Sequence, residues 1–236
     1  MIYLESVISL LVSIYIIIYI LFPLIISYLA LISRKKKHLY FIEKKTLKVG
    51  NIKLKKTFKD SIINLVFSII WYSSNLISKI PSYQLRVFLY KNIFKMKIAN
   101  KSSVYHGCEI INPWNISIDE GSIIGIENKI DGRGNIFIGK HVNMSHQVNI
   151  WTMQHSVNSP KFEGVIGSVS IGDYVWLGNR VTILPGVKIA KGCIISSGSI
   201  VSKDTEEYGI YAGIPAKRIA KRNKNLKYDI GILPIL

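Results

Sequence analysis

The sequence predicts a mainly β protein, a solenoid of short parallel strands that follows a helical region. The first observation is a period of six, because branched aliphatic residues recur at every sixth position in groups of three. A fixed period is typical of solenoids, and a period of six fits neither an amphipathic helix nor an alternating strand. The groups are Ile98, Val104, Ile110; Ile118, Ile124, Ile130; Ile138, Met144, Ile150; Ile171, Leu177, Ile183; and Ile189, Ile195, Val201.

The second observation is a small or branched residue at the fourth position after almost every member of these groups. Three short strands joined by tight corners therefore close one triangular coil, and successive coils stack by hydrogen bonding their backbones. Glycine often follows the aliphatic residue directly, and we expect it to supply a positive φ at the corner. The glycines in that position are Gly125, Gly139, Gly172 and Gly178.

The third observation is the spacing between groups, which locates one long insertion. The first members fall at 98, 118, 138, 171 and 189, so two coils carry two extra residues and one carries fifteen, all at the same corner. The insertion runs from Trp151 to about Ser170. Long excursions from a rigid scaffold are where chemistry is usually placed.

Composition bounds the partners and the redox state. The 236 residues suffice for one domain with a sizeable core plus an appendage, and the formal net charge is +17. A basic run from Arg34 to Lys59 directly follows a long apolar segment, which favours an anionic lipid surface over nucleic acid as the partner. The cysteines, Cys108 and Cys193, occupy the small inward position, which predicts buried, reduced thiols.

The N-terminal segment predicts a transmembrane helix. Residues 6–33 are almost wholly apolar and exceed the ~20 residues that span a bilayer. A signal peptide has a shorter apolar core with positive charge before it, whereas here the cations follow. The positive-inside rule then places the N-terminus outside and everything from Arg34 onward in the cytoplasm. A buried core helix is the alternative.

A second apolar segment, residues 61–80, has a narrow polar stripe at helical spacing. Because of this stripe, and because Trp71 and Tyr72 lie at mid-length, we interpret it as an interfacial or re-entrant helix and not as a second span. A full second crossing would place the solenoid outside. One more amphipathic helix is expected after Pro81, and Gly213 and Pro215 end the repeats. The predicted organisation is therefore a transmembrane helix (1–33), a basic membrane-adjacent helical region (34–97), a β-helix domain (98–215) and a C-terminal basic helix and tail (216–236).

Several motifs between residues 82 and 222 resemble those of the hexapeptide-repeat acyltransferases, in the branch of sugar and capsular-polysaccharide O-acetyltransferases. They are N-P-W-N at 112–115, D-G-R-G at 131–134, W-T-M-Q-H at 151–155, I-G-D-Y-V-W-L-G at 171–178, I-L-P-G-V at 183–187 and G-I-P-A at 213–216. The resemblance implies a left-handed parallel β-helix, a homotrimer, and acetyl-CoA as co-substrate in a groove between neighbouring prisms. It implies no metal.

His155 matches the catalytic histidine of that family and stands inside the insertion. Acyl transfer to a hydroxyl requires a group that takes the hydroxyl proton, and a neutral imidazole can accept it near neutral pH. An exposed loop histidine without a role is the alternative reading of the residue alone.

Asp131 and Arg133 lie one coil below the insertion, by the register of twenty residues, and Trp151, a candidate substrate contact, opens the insertion above them. Asp131 could orient the imidazole or the sugar, and Arg133 could bind an acidic sugar or pair with Asp131, although aspartate and glycine at a corner are also ordinary turn chemistry. The asparagine that helps stabilise the oxyanion in galactoside-type relatives is replaced by Gly125. Asn128 or a backbone N–H could substitute for it.

The resemblance also implies a coenzyme groove. Lysine and arginine suit the phosphates of CoA by charge, and Ala220 stands where relatives often have arginine, so Arg218 or Arg222 is expected to replace it. The expected contacts, from the pantetheine to the phosphates, are Trp176, Asn179, Ser197, Ser202, Lys203, Lys217 and Arg218.

His106, His141 and His146 form a rival constellation. Zinc carbonic anhydrases on the same solenoid have an early histidine and a later pair, and three imidazoles with a water suit catalytic zinc. Here the pair sits one position late in the repeat, which would turn the ligands away from each other. We therefore expect surface or interface histidines.

The sequence thus predicts a membrane-anchored O-acetyltransferase at the inner membrane, facing the cytoplasm. It would transfer acetyl from acetyl-CoA to a hydroxyl of a sugar or lipid-linked saccharide during surface-polysaccharide biosynthesis. The alternatives are N-acylation of a nucleotide-linked amino sugar, serine O-acetylation, the zinc enzyme, and a non-catalytic membrane scaffold.

Overall fold

The computed structural model describes residues 2–32 and 58–230. Within these ranges a helical region precedes a parallel β-solenoid, so the predicted mainly β solenoid is confirmed. Most of the basic run, residues 34–57, lies outside the described residues.

The first helix is interrupted next to a proline. Helix α1 (Ile2–Ile16) continues through a π-helical turn (Ile17–Leu21) into α2 (Phe22–Ile32). Pro23 has no N–H, so the carbonyl four residues earlier, on Tyr19, loses its helical donor. The Tyr72 hydroxyl, from the next helix, donates to that carbonyl at 3.3 Å. The proline that interrupts the helix therefore also frees a carbonyl that forms a hydrogen bond with the next helix.

Two further helices connect this segment to the solenoid. They are α3 (Phe58–Ser78) and α4 (Tyr83–Asn92). The buried Ser27 hydroxyl of α2 lies 3.1 Å from the Ser73 hydroxyl of α3, and the Ser74 hydroxyl donates to the carbonyl of Ile110 in the first coil at 3.0 Å. The C-terminal half of α3 is therefore packed between α2 and the base of the solenoid.

Among the residues that the structure describes, two helical windows are long and apolar enough to cross a membrane by length and composition. Residues 8–29 have a mean hydropathy of 2.7 and residues 61–78 a mean hydropathy of 1.3. Only 6% of the first window is buried, against 28% of the second. The second window thus doubles as a packing element of the solenoid base.

The solenoid is a three-sided prism with sheets A, B and C. In stacking order, sheet A contains β1 (Lys97–Ile98), β4 (Ile116–Ile118), β7 (Ile136–Ile138), β12 (Val169–Ile171) and β15 (Lys188–Ile189). Sheet B contains β2 (Ser103–Val104), β5 (Ile123–Ile124), β8 (Asn143–Met144), β13 (Trp176–Leu177), β16 (Ile194–Ile195), β18 (Gly209–Gly213) and β19 (Ala216–Lys221). Sheet C contains β3 (Glu109–Ile111), β6 (Lys129–Asp131), β9 (Asn149–Ile150), β14 (Thr182–Ile183) and β17 (Ile200–Val201). A short 3₁₀ turn, Pro113–Asn115, precedes β4.

The six-residue frame read from the sequence is the register of the prism. Equivalent residues stack directly, as in the column of Ile98, Ile118, Ile138, Ile171 and Ile189. None of the aliphatic residues that define the period is more than 5% exposed. We call the A-to-B turn the first corner, the B-to-C turn the second corner and the C-to-A turn the third corner.

The expected role of the corner glycines was wrong. None of Gly125, Gly139, Gly172 and Gly178 has a positive φ. A Cβ on Gly125 would instead lie 2.5 Å from the carbonyl oxygen of Ser145 in the next coil. Glycine is needed there because the coils stack too closely for a side chain. The left-handed conformation comes two residues later, at Lys101, Gly107, Gly121, Glu127, His141, Gln147, Tyr174, Arg180, Gly192 and Gly198.

Both cysteines are free and buried, as expected. Burial raises the pKa of the Cys108 thiol to about 12, so the reactive thiolate is not formed near neutral pH.

The expected C-terminal helix was also wrong. Strand β18 continues the parallel stack onto β16, and β19 pairs with it antiparallel. The last coil exposes unpaired backbone groups, and a hairpin satisfies them whereas a helix would not. The chain then returns along the first corner. There Nη1 of Arg222 donates to the carbonyl of Tyr174 at 2.7 Å, and Oδ2 of Asp229 lies 3.5 Å from Nζ of Lys101.

The stacking explanation predicts that Gly125→Ala destabilises the protein by about 3 kcal/mol, since a methyl group would be forced into the next coil's backbone. Gly186→Ala is the control, because Gly186 has a φ of +87° but open space around its Cβ position. It should lose only about 1 kcal/mol through backbone strain. Denaturation of the two variants in detergent, followed by circular dichroism, checks the order. Equal losses would contradict the stacking explanation.

Candidate active site

The insertion forms a hairpin that projects from the third corner. Strands β10 (Met153–His155) and β11 (Gly164–Ile166) pair antiparallel, with Met153 opposite Ile166 and His155 opposite Gly164. The loop between them carries exposed apolar side chains, including Val157, which is 95% exposed.

Thr152 anchors the hairpin to the coil below. Its side chain is fully buried, and its hydroxyl donates to the carbonyl of Asp131 at 2.5 Å while accepting from the N–H of Gly134 at 2.7 Å. Its own carbonyl accepts from the N–H of Gly167 at 2.9 Å, where the hairpin ends. One threonine therefore joins both ends of the hairpin to the neighbouring corner.

Close packing against the coils below and above explains the two glycines of the D-G-R-G corner. A Cβ on Gly132 would lie 2.6 Å from the carbonyl oxygen of Asn112 in the coil below. A Cβ on Gly134 would lie 2.9 Å from the Cβ of Thr152 in the coil above. Both glycines are therefore required for the corner to meet its neighbours.

Asp131 and Arg133 pair with each other within this corner. Asp131 is 1% exposed, and its two carboxylate oxygens accept from Nε and Nη2 of Arg133 at 2.8 and 2.9 Å. The remaining contacts of the carboxylate are the N–H groups of Arg133 and Thr152. The structure thus contradicts the expectation that Asp131 orients the imidazole, and of the two roles weighed for Arg133 it has the ion pair.

The imidazole of His155 is oriented by the loop itself. Its Nδ1 lies 2.8 Å from the carbonyl oxygen of Phe162, and the two rings stack with centroids 3.8 Å apart and an 11° angle between planes. A carbonyl only accepts, so Nδ1 carries the hydrogen and the exposed Nε2 holds a free lone pair. That is the form a general base needs.

The sequence pattern predicts no role for Phe162. Phe162 is 66% exposed and adopts a φ of +49°, which is unusual for a bulky residue. Neither feature follows from a local pattern, because the contact joins residues on opposite sides of the loop.

The expectation that Asn128 supplies the oxyanion donor is contradicted. Asn128 is fully buried inside the prism, and its Oδ1 accepts from the N–H of Val148 at 2.7 Å. Its side chain therefore links two coils and cannot reach a group outside the prism.

The residues expected along the pantetheine lie elsewhere on the prism. Trp176 is on the outer face of sheet B, where its Nε1 donates to the Ser145 hydroxyl at 3.3 Å. Asn179 and Ser197 line a cavity of about 560 Å³ at the second corner. His155 and Trp151 belong to the third corner, so the two groups do not converge within one chain.

The residues expected at the phosphates lie towards the far end of the prism. Ser202, Lys203 and Lys217 are exposed. Arg218 forms an ion pair with Glu206, and Arg222 donates to the carbonyls of Tyr174 and Gly192 in the returning tail. Both arginines weighed as replacements for the missing family arginine thus have protein partners.

The three histidines of the alternative zinc site do not lie together. His106 and His146 belong to the second corner, whereas His141 belongs to the first, where it stacks on Tyr174 with ring centroids 5.0 Å apart. Nδ1 of His146 accepts from the N–H of Ile126 at 3.0 Å. Within residues 2–32 and 58–230, no group of three metal-ligating side chains is placed to hold an ion.

Comparison with known proteins shows the relationships of the chain. The family model for the bacterial transferase hexapeptide (six repeats) matches residues 168–203. The chain is 30% identical over 170 residues to a dTDP-4-amino-4,6-dideoxy-D-glucose acyltransferase of Escherichia coli. This alignment covers 61% of this chain and 88% of that enzyme. It is 29% identical over 154 residues to a putative lipopolysaccharide biosynthesis O-acetyltransferase of Escherichia coli, which covers 51% and 79% of the two chains.

Among solved structures, a hexapeptide-repeat-containing acetyltransferase of Vibrio cholerae, complexed with acetyl coenzyme A, superposes with a TM-score of 0.62 at 20% identity. The match covers 77% of this chain and 99% of that one. At this identity the likeness supports the fold alone.

The anchoring role of Thr152 predicts that Thr152→Val loosens the hairpin. Valine keeps the shape but leaves the Gly134 N–H and the Asp131 carbonyl without their partner, at a cost of about 2 kcal/mol. Amide hydrogen exchange should accelerate selectively in residues 153–166, and Thr152→Ser, which keeps the hydroxyl, should behave like the parent protein. Unchanged exchange in Thr152→Val would show that the hairpin does not depend on this hydroxyl.

Proposed function

Because the chain belongs to the hexapeptide-repeat acyltransferase family, we propose that it transfers an acetyl group from acetyl-CoA to a sugar hydroxyl during surface-polysaccharide biosynthesis. The observation that carries the proposal is the exposed His155, whose Nδ1 is held by the Phe162 carbonyl while Nε2 has no hydrogen-bond partner among the described residues. The relative named as a lipopolysaccharide biosynthesis O-acetyltransferase supports a saccharide acceptor.

The proposed reaction uses His155 first as a base and then as an acid. Its Nε2 takes the proton of the sugar hydroxyl as the oxygen attacks the thioester carbonyl. The Phe162 carbonyl stabilises the imidazolium by accepting the hydrogen on Nδ1, and the stacked ring limits rotation of the imidazole. The same proton then goes to the departing thiolate, which regenerates the neutral imidazole.

We propose a homotrimer, because the two halves of the site lie at different corners of one prism. The hairpin loop exposes Val157 and Phe162, and the sheet B side exposes Trp176, Ile214 and Ile219. Two different apolar surfaces on one chain favour a head-to-tail contact, which closes into a ring when the rotation fits. A three-sided prism suits a three-fold ring, in which each hairpin covers the neighbour's coenzyme groove.

Membrane anchoring at the inner membrane, with the prism in the cytoplasm, is also part of the proposal. Only 6% of the apolar window at 8–29 is buried, which suits lipid. Lys95 lies over the Tyr28 ring at 5.5 Å, so a cation stands beside the C-terminal half of α2. Anionic headgroups suit such positions, and a lipid-linked saccharide would present its sugar near this end of the prism.

N-acylation of a nucleotide-linked amino sugar is the second candidate. It is favoured by the relative of which 88% is covered, an acyltransferase named for a dTDP-linked amino sugar. The two candidates differ in the acceptor and in whether oxygen or nitrogen attacks. Offering a hydroxyl-bearing saccharide and an amino-sugar nucleotide to the same preparation, with mass analysis of the products, separates them.

His155→Ala should reduce acetyl transfer by at least about 100-fold, because the attacking hydroxyl loses its proton acceptor. Gln154→Ala, which alters the preceding exposed residue, is the matched control and should keep most of the activity. Release of free CoA, followed with a thiol reagent, measures the rate. Turnover in His155→Ala close to that of the control would remove the assigned base.

The proposed topology predicts that Lys140→Cys reacts with a membrane-impermeant maleimide only after the inner membrane is opened. Lys140 is exposed at the first corner, away from the hairpin and the second corner, whereas both native cysteines are buried and stay unlabelled. Labelling in intact spheroplasts would place the prism outside and overturn the cytoplasmic assignment.

A further inference from the structure

The cavity at the second corner is lined by neutral polar side chains and one cation. Its lining residues are His146, Gln147, Asn179, Arg180, Ser197 and Gly198. None of these is acidic. Asn179 and Ser197 belong to the coenzyme groove of the proposed function, but His146 and Arg180 have no role in it.

Three side chains around this cavity are each held so that a donor stays free. Nδ1 of His146 accepts from the N–H of Ile126, so the hydrogen of the neutral ring is on Nε2. Oδ1 of Asn179 accepts from the N–H of His146 at 3.0 Å, which leaves its amide NH₂ to donate elsewhere. Nε of Arg180 donates to Gln147 at 2.9 Å, which fixes the guanidinium while its terminal nitrogens have no partner among the described residues.

A second cavity, of about 510 Å³, continues from this one towards the lower coils and shares Gln147 and Arg180 with it. Its lining has different chemistry, because Glu109, Glu127 and Lys129 provide both acceptors and donors. Polyhydroxylated ligands need such a mixture. The cavity without acidic residues therefore joins the coenzyme residues Asn179 and Ser197 to a trough suited to a saccharide.

We propose that Nε2–H of His146 and the Arg180 guanidinium stabilise the oxyanion of acetyl transfer, and that the lower trough holds the acceptor sugar. This inference rests on the proposed function. The group at the junction between coenzyme and sugar is the thioester carbonyl, where negative charge develops. Fixed donors in place before the reaction stabilise that charge without reorganising.

The step balances without any further reactant. The sugar oxygen forms a bond to the carbonyl carbon, and the C=O electron pair moves onto the carbonyl oxygen. The proton of the sugar hydroxyl moves to Nε2 of the His155 that a neighbouring copy of the chain supplies. When the intermediate collapses, the C=O bond reforms and the C–S bond breaks. The imidazolium returns its proton to the thiolate, which leaves as CoA.

The experiment compares His146→Asn with His146→Gln. Asparagine can place an oxygen near the position of Nδ1 and keep the contact to Ile126, but it has no donor at the position of Nε2. Glutamine reaches that position with its NH₂. His106→Asn is the matched control, since His106 occupies the same place in the repeat two coils lower.

We expect kcat to fall about 100-fold in His146→Asn with the KM for acetyl-CoA within about 3-fold, and to stay within about 10-fold in His146→Gln. His106→Asn should match the parent enzyme. Equal rates in His146→Asn and His106→Asn would overturn the inference. A rise in KM at unchanged kcat would do so too, because it would assign His146 to coenzyme binding alone.

A measurement without turnover separates this inference from the proposed function. Histidine-selective ¹⁵N NMR of the full-length protein should show the neutral His146 ring protonated at Nε2. Protonation at Nδ1 overturns the inference whatever the activity. If instead no sugar or amino-sugar acceptor is acetylated by the parent protein while Nε2 is protonated, it is the proposed function that fails.

Discussion

Backbone hydrogen bonding between successive coils is the constraint on which the rest of the structure depends. Parallel strands pair at about 4.8 Å, so each coil must follow the one below it at that distance around the whole triangle. This spacing explains why Gly125 cannot carry a side chain and why aliphatic residues recur every sixth position. It also allows a long insertion only where the chain points outward, at a corner.

The same constraint decides which side chains are offered to ligands. Each of the first and second corners needs one residue in the left-handed region, where glycine is the least strained choice. At the second corner the middle coils instead carry Glu127, Gln147 and Arg180, with φ near 60°. These three side chains form a hydrogen-bonded column along the corner. The strained backbone therefore holds a line of polar groups beside the two cavities.

The prism could be predicted from the sequence because its register is written in one repeated property, the aliphatic residue at every sixth position. The C-terminal hairpin could not, since basic residues such as Lys217 and Lys221 suit a helix and an edge strand equally, and the unpaired backbone of the last coil decides between them. Asn128 was misjudged for a related reason: an amide in a core position looks like a site residue until its partner, the Val148 N–H, is known. His155 was found from its loop and its family motif, but the Phe162 contact depends on how the loop folds back.

The two histidines nearest the proposed chemistry show how one backbone group sets the role of a side chain. At His155 the partner of Nδ1 is a carbonyl, so the ring is protonated there and Nε2 can accept a proton. At His146 the partner of Nδ1 is an N–H, so the ring must carry its hydrogen on Nε2 and can only donate from it. The residue type is the same, and composition or spacing cannot distinguish the two cases. The distinction arises because one histidine lies across a loop from a carbonyl whereas the other is stacked on the corner of the coil below, where the N–H groups of the ladder point towards it. A prism whose corners offer a carbonyl at one place and an N–H at another can therefore use one residue type, histidine, both as a base and as a hydrogen-bond donor.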